Sequence, residues 1–143
     1  MTITPSDTFV RRIHDVDRLR SPWTMLEAAA HGRTKYWSPN VLTGMPRGEG
    51  ACLEVVFFRV DLFMGYSALE EEYDRRVLNP VDPYSLGAVN EADPSFADEF
   101  KNGTIWKNRM RNWYFLAFGR SFVSAHRRGF EWNGQWWFGG VPK

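Results

Sequence analysis

Three histidines, one cysteine and a few hydroxyls are the groups in this 143-residue chain whose types suggest chemistry. His14, His31 and His126 lie far apart, with no His-x-x-x-His or Cys-x-x-Cys spacing, so no local motif builds a metal site. Cys52 stands in the apolar run Ala51–Val60 with no neighbouring cation to favour a thiolate, and reads as a small buried hydrophobe. Ser67, in Gly65-Tyr66-Ser67-Ala68-Leu69, follows a strand-like run and opens a helical one, the setting of a nucleophile elbow. Leu69 occupies the place of that motif's second glycine, and Ser67-Ala68-Leu69-Glu70 reads better as a capping box. Gly44-Met45-Pro46-Arg47-Gly48-Glu49-Gly50 lacks the Gly-Lys-Ser/Thr ending of a phosphate loop and precedes a strand instead of following one. It reads as a mobile connection, long enough to serve as a lid. His126 and Glu131, five residues apart on one strand, point to opposite faces and make no acid–base pair. The residues name no catalytic group, cofactor or metal, and the balance tips against an enzyme.

The elements that would position these groups follow from periodicity and capping. Phe9, Val10, Ile13, Val16 and Leu19 fit a short N-terminal helix from about Asp7, so residues 1–20 read as a basic arm or helix before a single domain over 21–143. Ser21-Pro22 opens a helix that Gly32 stops, with His31 placed to favour its C-terminal end. Residues 33–50 read as a loop, and Ala51–Val60, apolar on both parities, as a central strand. A second helix runs from Ala68 to about Leu78, followed by an acidic Pro-containing loop to Pro94 and a short helical turn over 95–100. Trp106, Met110, Trp113 and Ala117 step by 4, 3 and 4, which predicts a helix over 105–118. Phe130-Glu131-Trp132 and Gln135-Trp136-Trp137-Phe138 flank Asn133-Gly134, the signature of a type I′ hairpin within 122–141. The fold expected is α+β: a small, mainly antiparallel sheet with that C-terminal hairpin, packed against several short helices.

Charge is segregated behind a net +1: residues 1–48 carry +3, residues 49–103 carry −8 and residues 104–143 carry +6. Packing the acidic middle beside the basic end would cancel much of this; separate faces would steer charged partners. A hydrophobic fraction of 43% argues against wholesale disorder, and no run reaches the 18 apolar residues of a membrane span. With one cysteine and no basic-then-apolar start, the expectation is a cytoplasmic, soluble protein without membrane contact.

The last forty residues hold five of the seven tryptophans and seven basic side chains against one acid. In the expected hairpin Phe130, Trp132 and Trp137 face the core, while Trp136 and Phe138 share the other face with Glu131 and Arg127. That second face, with Arg109 and Arg111, is the candidate partner-binding surface. Trp, Tyr and Arg dominate protein contacts, whereas aromatic–arginine surfaces also stack single-stranded nucleic acid. The function expected is a non-enzymatic binding or regulatory protein docking a macromolecule, with protein favoured over nucleic acid. The scarcity of motifs resembles small inhibitor proteins of phages and mobile elements. The run Asn133–Gly140 in turn resembles the closing hairpin of NTF2-like cone folds, a superfamily that includes dehydratases and isomerases. That resemblance implies the alternative, a small-molecule lyase or isomerase with a cone-like pocket.

Overall fold

The apolar run at 53–60 forms a strand with neighbours on both sides. In the computed structural model, which describes residues 7–60, 64–127 and 135–143, β3 (Leu53–Val60) pairs antiparallel with β1 (Thr8–Ile13) and with β8 (Trp136–Pro142). Val55 and Phe57 enter one core while Phe58 and Val60 enter another, so both faces are covered along most of the strand, with Glu54 and Arg59 exposed. The sheet continues through β5 (Asn102–Lys107), β6 (Trp113–Phe118), β7 (Phe122–His126) and β2 (Thr34–Trp37), in the order β1-β3-β8-β5-β6-β7-β2, with β4 (Leu78–Pro80) also on β8. It is one open eight-stranded sheet, larger than expected. It is also mixed, because β5 runs parallel to β8 and β2 parallel to β7.

Helices cover both faces of the sheet. From α1 (Pro22–Ala30), α2 (Pro39–Thr43), α4 (Pro83–Ala92) and α5 (Phe96–Glu99), Leu26, Leu42, Leu86 and Phe96 pack with Phe57, Leu116 and Phe118. On the other face α3 (Tyr66–Arg75) supplies Leu69 and Tyr73 to a core with Phe58, Phe115, Trp136 and Phe138. α1 begins as the sequence predicts: Ser21 Oγ accepts the Thr24 amide at 3.1 Å, and Pro22 loses no needed donor. Its end is left-handed at His31 and Gly32, and the His31 ring Nε2 lies 2.9 Å from the Asn90 carbonyl near the end of α4. Gly87 lets α1 and α4 approach, since a Cβ there would sit 2.4 Å from Met25 Sδ. Among the described residues no helix is long and apolar enough to cross a membrane.

Several expectations are overturned, each for a local reason. Residues 8–13 are an edge strand and not a helix: Phe9 and Ile13 face the core, with the Arg11 guanidinium 4.9 Å over the Phe9 ring, which hides the two-residue alternation. Residues 105–118 are the β5–β6 hairpin; Met110, the middle of the supposed helical stripe, lies at its turn. Residues 33–50 contain β2 and α2, and the acidic 79–94 stretch contains most of β4 and all of α4, capped by Asp82 Oδ2 accepting the Ser85 amide at 2.9 Å. Cys52 is exposed. Ser67 lies inside the first turn of α3, whose cap position is Gly65. The Asn133-Gly134 turn falls outside the described residues. The strands on either side of it, β7 and β8, are not neighbours: β5 and β6 lie between them. β8 therefore lies in the interior of the sheet, between β3 and β5.

Two arginines tie the irregular segments down. Arg18 donates to the Arg47, Glu49 and Gly50 carbonyls, to Asp82 Oδ2 and to Ser85 Oγ, fastening the glycine-rich connection to the start of α4. Arg76 donates to Asp7 Oδ2 at 2.9 Å and Glu72 Oε1 at 2.8 Å, fastening α3 to the entry of β1.

Two outcomes are expected. Trp136→Ala and Phe138→Ala, which empty buried volume, should each cost about 3–5 kcal/mol in denaturant melts. The Arg76 hydrogen bond holds the Asp7 carboxyl below its ordinary value; burial pushes Glu72 up, but bonds from Arg75 and Arg76 outweigh it and leave that group low as well. A folded-state pKa below the unfolded one gives stability that is full above the unfolded pKa, near 4, and lost as pH falls through the folded value. Melting temperature should therefore drop more steeply on acidification in the wild type than in Asp7→Asn/Glu72→Gln.

Candidate functional site

Strand β8 changes partner part-way along. Phe138 lies opposite Gly103 of β5, whereas Gly140 lies opposite Pro80 of β4. At the switch the Gly139 carbonyl accepts the Val81 amide at 3.0 Å and the Tyr73 hydroxyl at 2.7 Å, and Thr104 Oγ1 donates to the Val81 carbonyl at 2.6 Å. A side chain at Gly139 would place its Cβ 2.9 Å from Val81 Cγ1, so glycine is needed for β4 and β8 to close. Burial pushes the Tyr73 hydroxyl pKa up, keeping it a neutral donor.

Because β5 parts from β8 after Gly103, a cleft of about 300 Å³ opens between β4 and β5 with α3 as one wall. Tyr73, Ile105 and Trp113 form its apolar lining, and Glu70, Asp74 and Lys107 its charged rim. Lys107 Nζ stands 3.3 Å from Glu70 Oε2 and 4.5 Å above the Trp113 ring, so this cation is held by an ion pair and an aromatic face together. Trp113 stacks on Tyr66 at 5.4 Å with rings 6° from parallel. Burial raises the Tyr66 hydroxyl pKa, and that hydroxyl donates to the Arg127 carbonyl at 3.2 Å, joining the start of α3 to the end of β7.

The β5–β6 turn rises at the same end of the sheet. Asn108 Oδ1 accepts the Met110 and Asn112 amides at 3.0 and 2.9 Å, Asn108 Nδ2 donates to the Tyr114 hydroxyl at 3.0 Å, and the Asn108 amide closes on the Asn112 carbonyl at 3.1 Å. This side-chain-braced turn needs a left-handed residue, and Arg111 supplies it at φ 63°. Arg109 and Arg111 are thereby held in solvent on either side of Met110, which is 81% exposed. Arg127 is exposed at the end of β7, one position beyond the Phe115–His126 pair.

The five residues expected at a partner surface thus divide. Arg109, Arg111 and Arg127 gather at one end of the sheet, and none has an ion-pair partner among the described residues. Trp136 and Phe138 do not join them: at 4% and 0% exposure they belong to the core beneath α3, and Trp137 is the half-buried one. β8 takes its orientation from its pairing with β3 and β5. His126 is half-buried with its ring 6.1 Å from that of Phe115, and it does not line the cleft. Its supposed partner Glu131 lies outside the described residues. Met110 and Trp113, read from the sequence as core, are what sequence reasoning missed; Asn108 and Asn112, four residues apart, were the available turn signal. Among the described residues no group of three or more His, Cys, Asp or Glu side chains could hold a metal ion.

The chain matches no protein-family model, no curated protein and no solved structure. Its site has to be read from its own geometry.

The bracing of the turn is open to test. Asn108→Ala should cost about 2–3 kcal/mol, the worth of three lost side-chain hydrogen bonds, and should speed amide exchange at Met110 and Asn112. Arg111→Gly removes left-handed strain but loosens the unfolded chain, so stability should stay within about 0.5 kcal/mol.

Proposed function

We propose that this protein is a non-enzymatic binding or regulatory protein that docks an acidic surface of another protein through Arg109, Met110, Arg111 and Arg127. One observation carries the reading: the turn that presents Arg109, Met110 and Arg111 is already locked by Asn108. A pre-ordered turn spends little entropy on binding, and arginines around an apolar anchor are the usual core of a protein contact. Trp113 and the cleft beside the turn extend that apolar surface. The turn itself, Asn108 to Asn112, carries an aliphatic methionine between its arginines and no aromatic ring on which a base could stack, which favours protein over single-stranded nucleic acid.

The test compares the wild-type chain with Arg109→Glu/Met110→Asp/Arg111→Glu as baits. The triple variant, altered only at exposed turn positions, should melt within about 2 °C of the wild type and lose any protein the wild type retains. A captured protein held equally by both would overturn the reading. So would affinity for single-stranded DNA that falls steeply between about 50 and 200 mM salt and disappears in the variant.

A further inference from the structure

The cleft beside the docking turn is bounded by two strand edges, and their backbone groups decide what it can receive. Successive residues of a strand direct their amides and carbonyls to alternate sides. Along β5 the even positions serve β6: Thr104 lies opposite Leu116 and Trp106 opposite Tyr114, and the Asn108 amide continues the series onto the Asn112 carbonyl. The odd positions serve the other side, where the Lys101 carbonyl accepts the Trp137 amide at 2.8 Å. Ile105 and Lys107 therefore direct their amides and carbonyls away from β6, into the cleft they line. β8 stops pairing with β5 at Gly103, and among the described residues no other strand forms a ladder with that edge.

The facing edge is less receptive. The Val81 amide donates to the Gly139 carbonyl and the Val77 carbonyl accepts from the Lys143 amide, so Leu78 and Pro80 of β4 face the cleft. Pro80 has no amide to give, which interrupts a ladder on that side. β5 has no proline, and Ile105 and Lys107 lie about 7 Å apart along it, room for a short extended stretch of chain. An open edge of this kind takes up extended peptide by strand addition, with backbone bonds giving affinity and a side-chain pocket giving selectivity. The pocket is present. A residue paired opposite Ile105 shares its face, and on that face Tyr73 and Trp113 line the space of about 300 Å³. The charged rim is internally balanced, Glu70 by Lys107 and Asp74 by Lys143. Past Lys107 the chain enters the turn that carries Arg109 and Arg111, so the end of an added strand that reaches the turn meets positive charge.

We propose that the partner of the docking turn adds an extended segment antiparallel to the β5 edge, with an apolar side chain in the cleft and acidic residues against Arg109 and Arg111. The added strand presupposes the docking turn and gives its partner a chemistry: a short β-forming run with acids at one end.

The peptide acetyl-Asp-Glu-Val-Leu-Val-Glu-Asp-amide, titrated into the isotope-labelled full chain, is the probe. Its binding should slow amide exchange at Ile105 and Lys107 by about tenfold or more at saturation. Methylating the leucine amide removes a ladder bond and leaves the side chain. That should weaken binding by about tenfold or more, whereas methylating the preceding valine amide should cost less than about threefold. Arg109→Glu/Met110→Asp/Arg111→Glu should weaken the peptide by at least about tenfold. Binding without slowed exchange at Ile105, or equal losses from the two methylations, would overturn strand addition and leave the docking turn standing. Slowed exchange with full affinity in the triple variant would overturn the acidic contact with the turn, and the docking reading with it. Absence of saturable binding up to about 1 mM would overturn the proposal. So would exchange at Ile105 that slows with protein concentration alone, in favour of a second copy on that edge.

Discussion

The carbonyl of Gly139 is where the architecture turns. A strand in the middle of a sheet must satisfy its backbone groups along both edges, and β8 does so on one edge with two different strands in succession. Where β5 leaves and β4 arrives, the ladder would be broken. Val81 and Tyr73 both donate to Gly139 there, one from the connection after β4 and one from α3. That junction fixes α3 over its face of the sheet, brings β4 onto β8 and forces β5 to diverge. The cleft beside α3 is the geometric remainder of the divergence, and the lean of β5 carries the Asn108 turn away from β8.

The charge map resolves in the same frame. The acidic middle of the chain is drawn on from both sides, by Arg18 with Asp82, Arg20 with Glu91 and Arg33 with Asp98 from the N-terminal segment, and by Lys107 with Glu70 and Lys143 with Asp74 from the C-terminal one. These pairs cancel much of the segregation. Most are partly exposed and stabilise little individually; their consequence is to leave Arg109, Arg111 and Arg127 as cations without an ion-pair partner among the described residues, at one end of the sheet. That end presents arginines outward on a rigid turn, the geometry of a docking surface.

Helix starts were legible wherever the signal was a short capping pattern, as at Ser21-Pro22. Asp82-Pro83 carried the same signal for α4, inside a stretch whose acidic residues and prolines read as loop. The strand at 53–60 was legible because β-branched and aromatic residues filled both parities. Single-sequence periodicity misled where two periods coincided. Trp106, Met110, Trp113 and Ala117 match a helical stripe by spacing alone, yet in the hairpin Trp106 and Trp113 lie on opposite faces and Met110 on neither. Of the candidate surface, the basic residues were legible from composition, and the aromatic ones were assigned to the wrong side.

By itself the sequence determined an α+β chain, a concentration of basic and aromatic residues in its last forty positions, and the cap that starts α1. These are local properties, carried by side chains acting within a few residues of themselves. Only the tertiary structure decided that the described residues form one eight-stranded sheet, that Trp136 and Phe138 are core, and that Arg109, Arg111 and Arg127 meet at one end of it. Strand order and the face a strand presents are set by partners far away in sequence. On a strand, a shift of one residue exchanges buried and exposed side chains, so the register of β8 against β3 and β5, and not the composition of β8, sent its tryptophan inward.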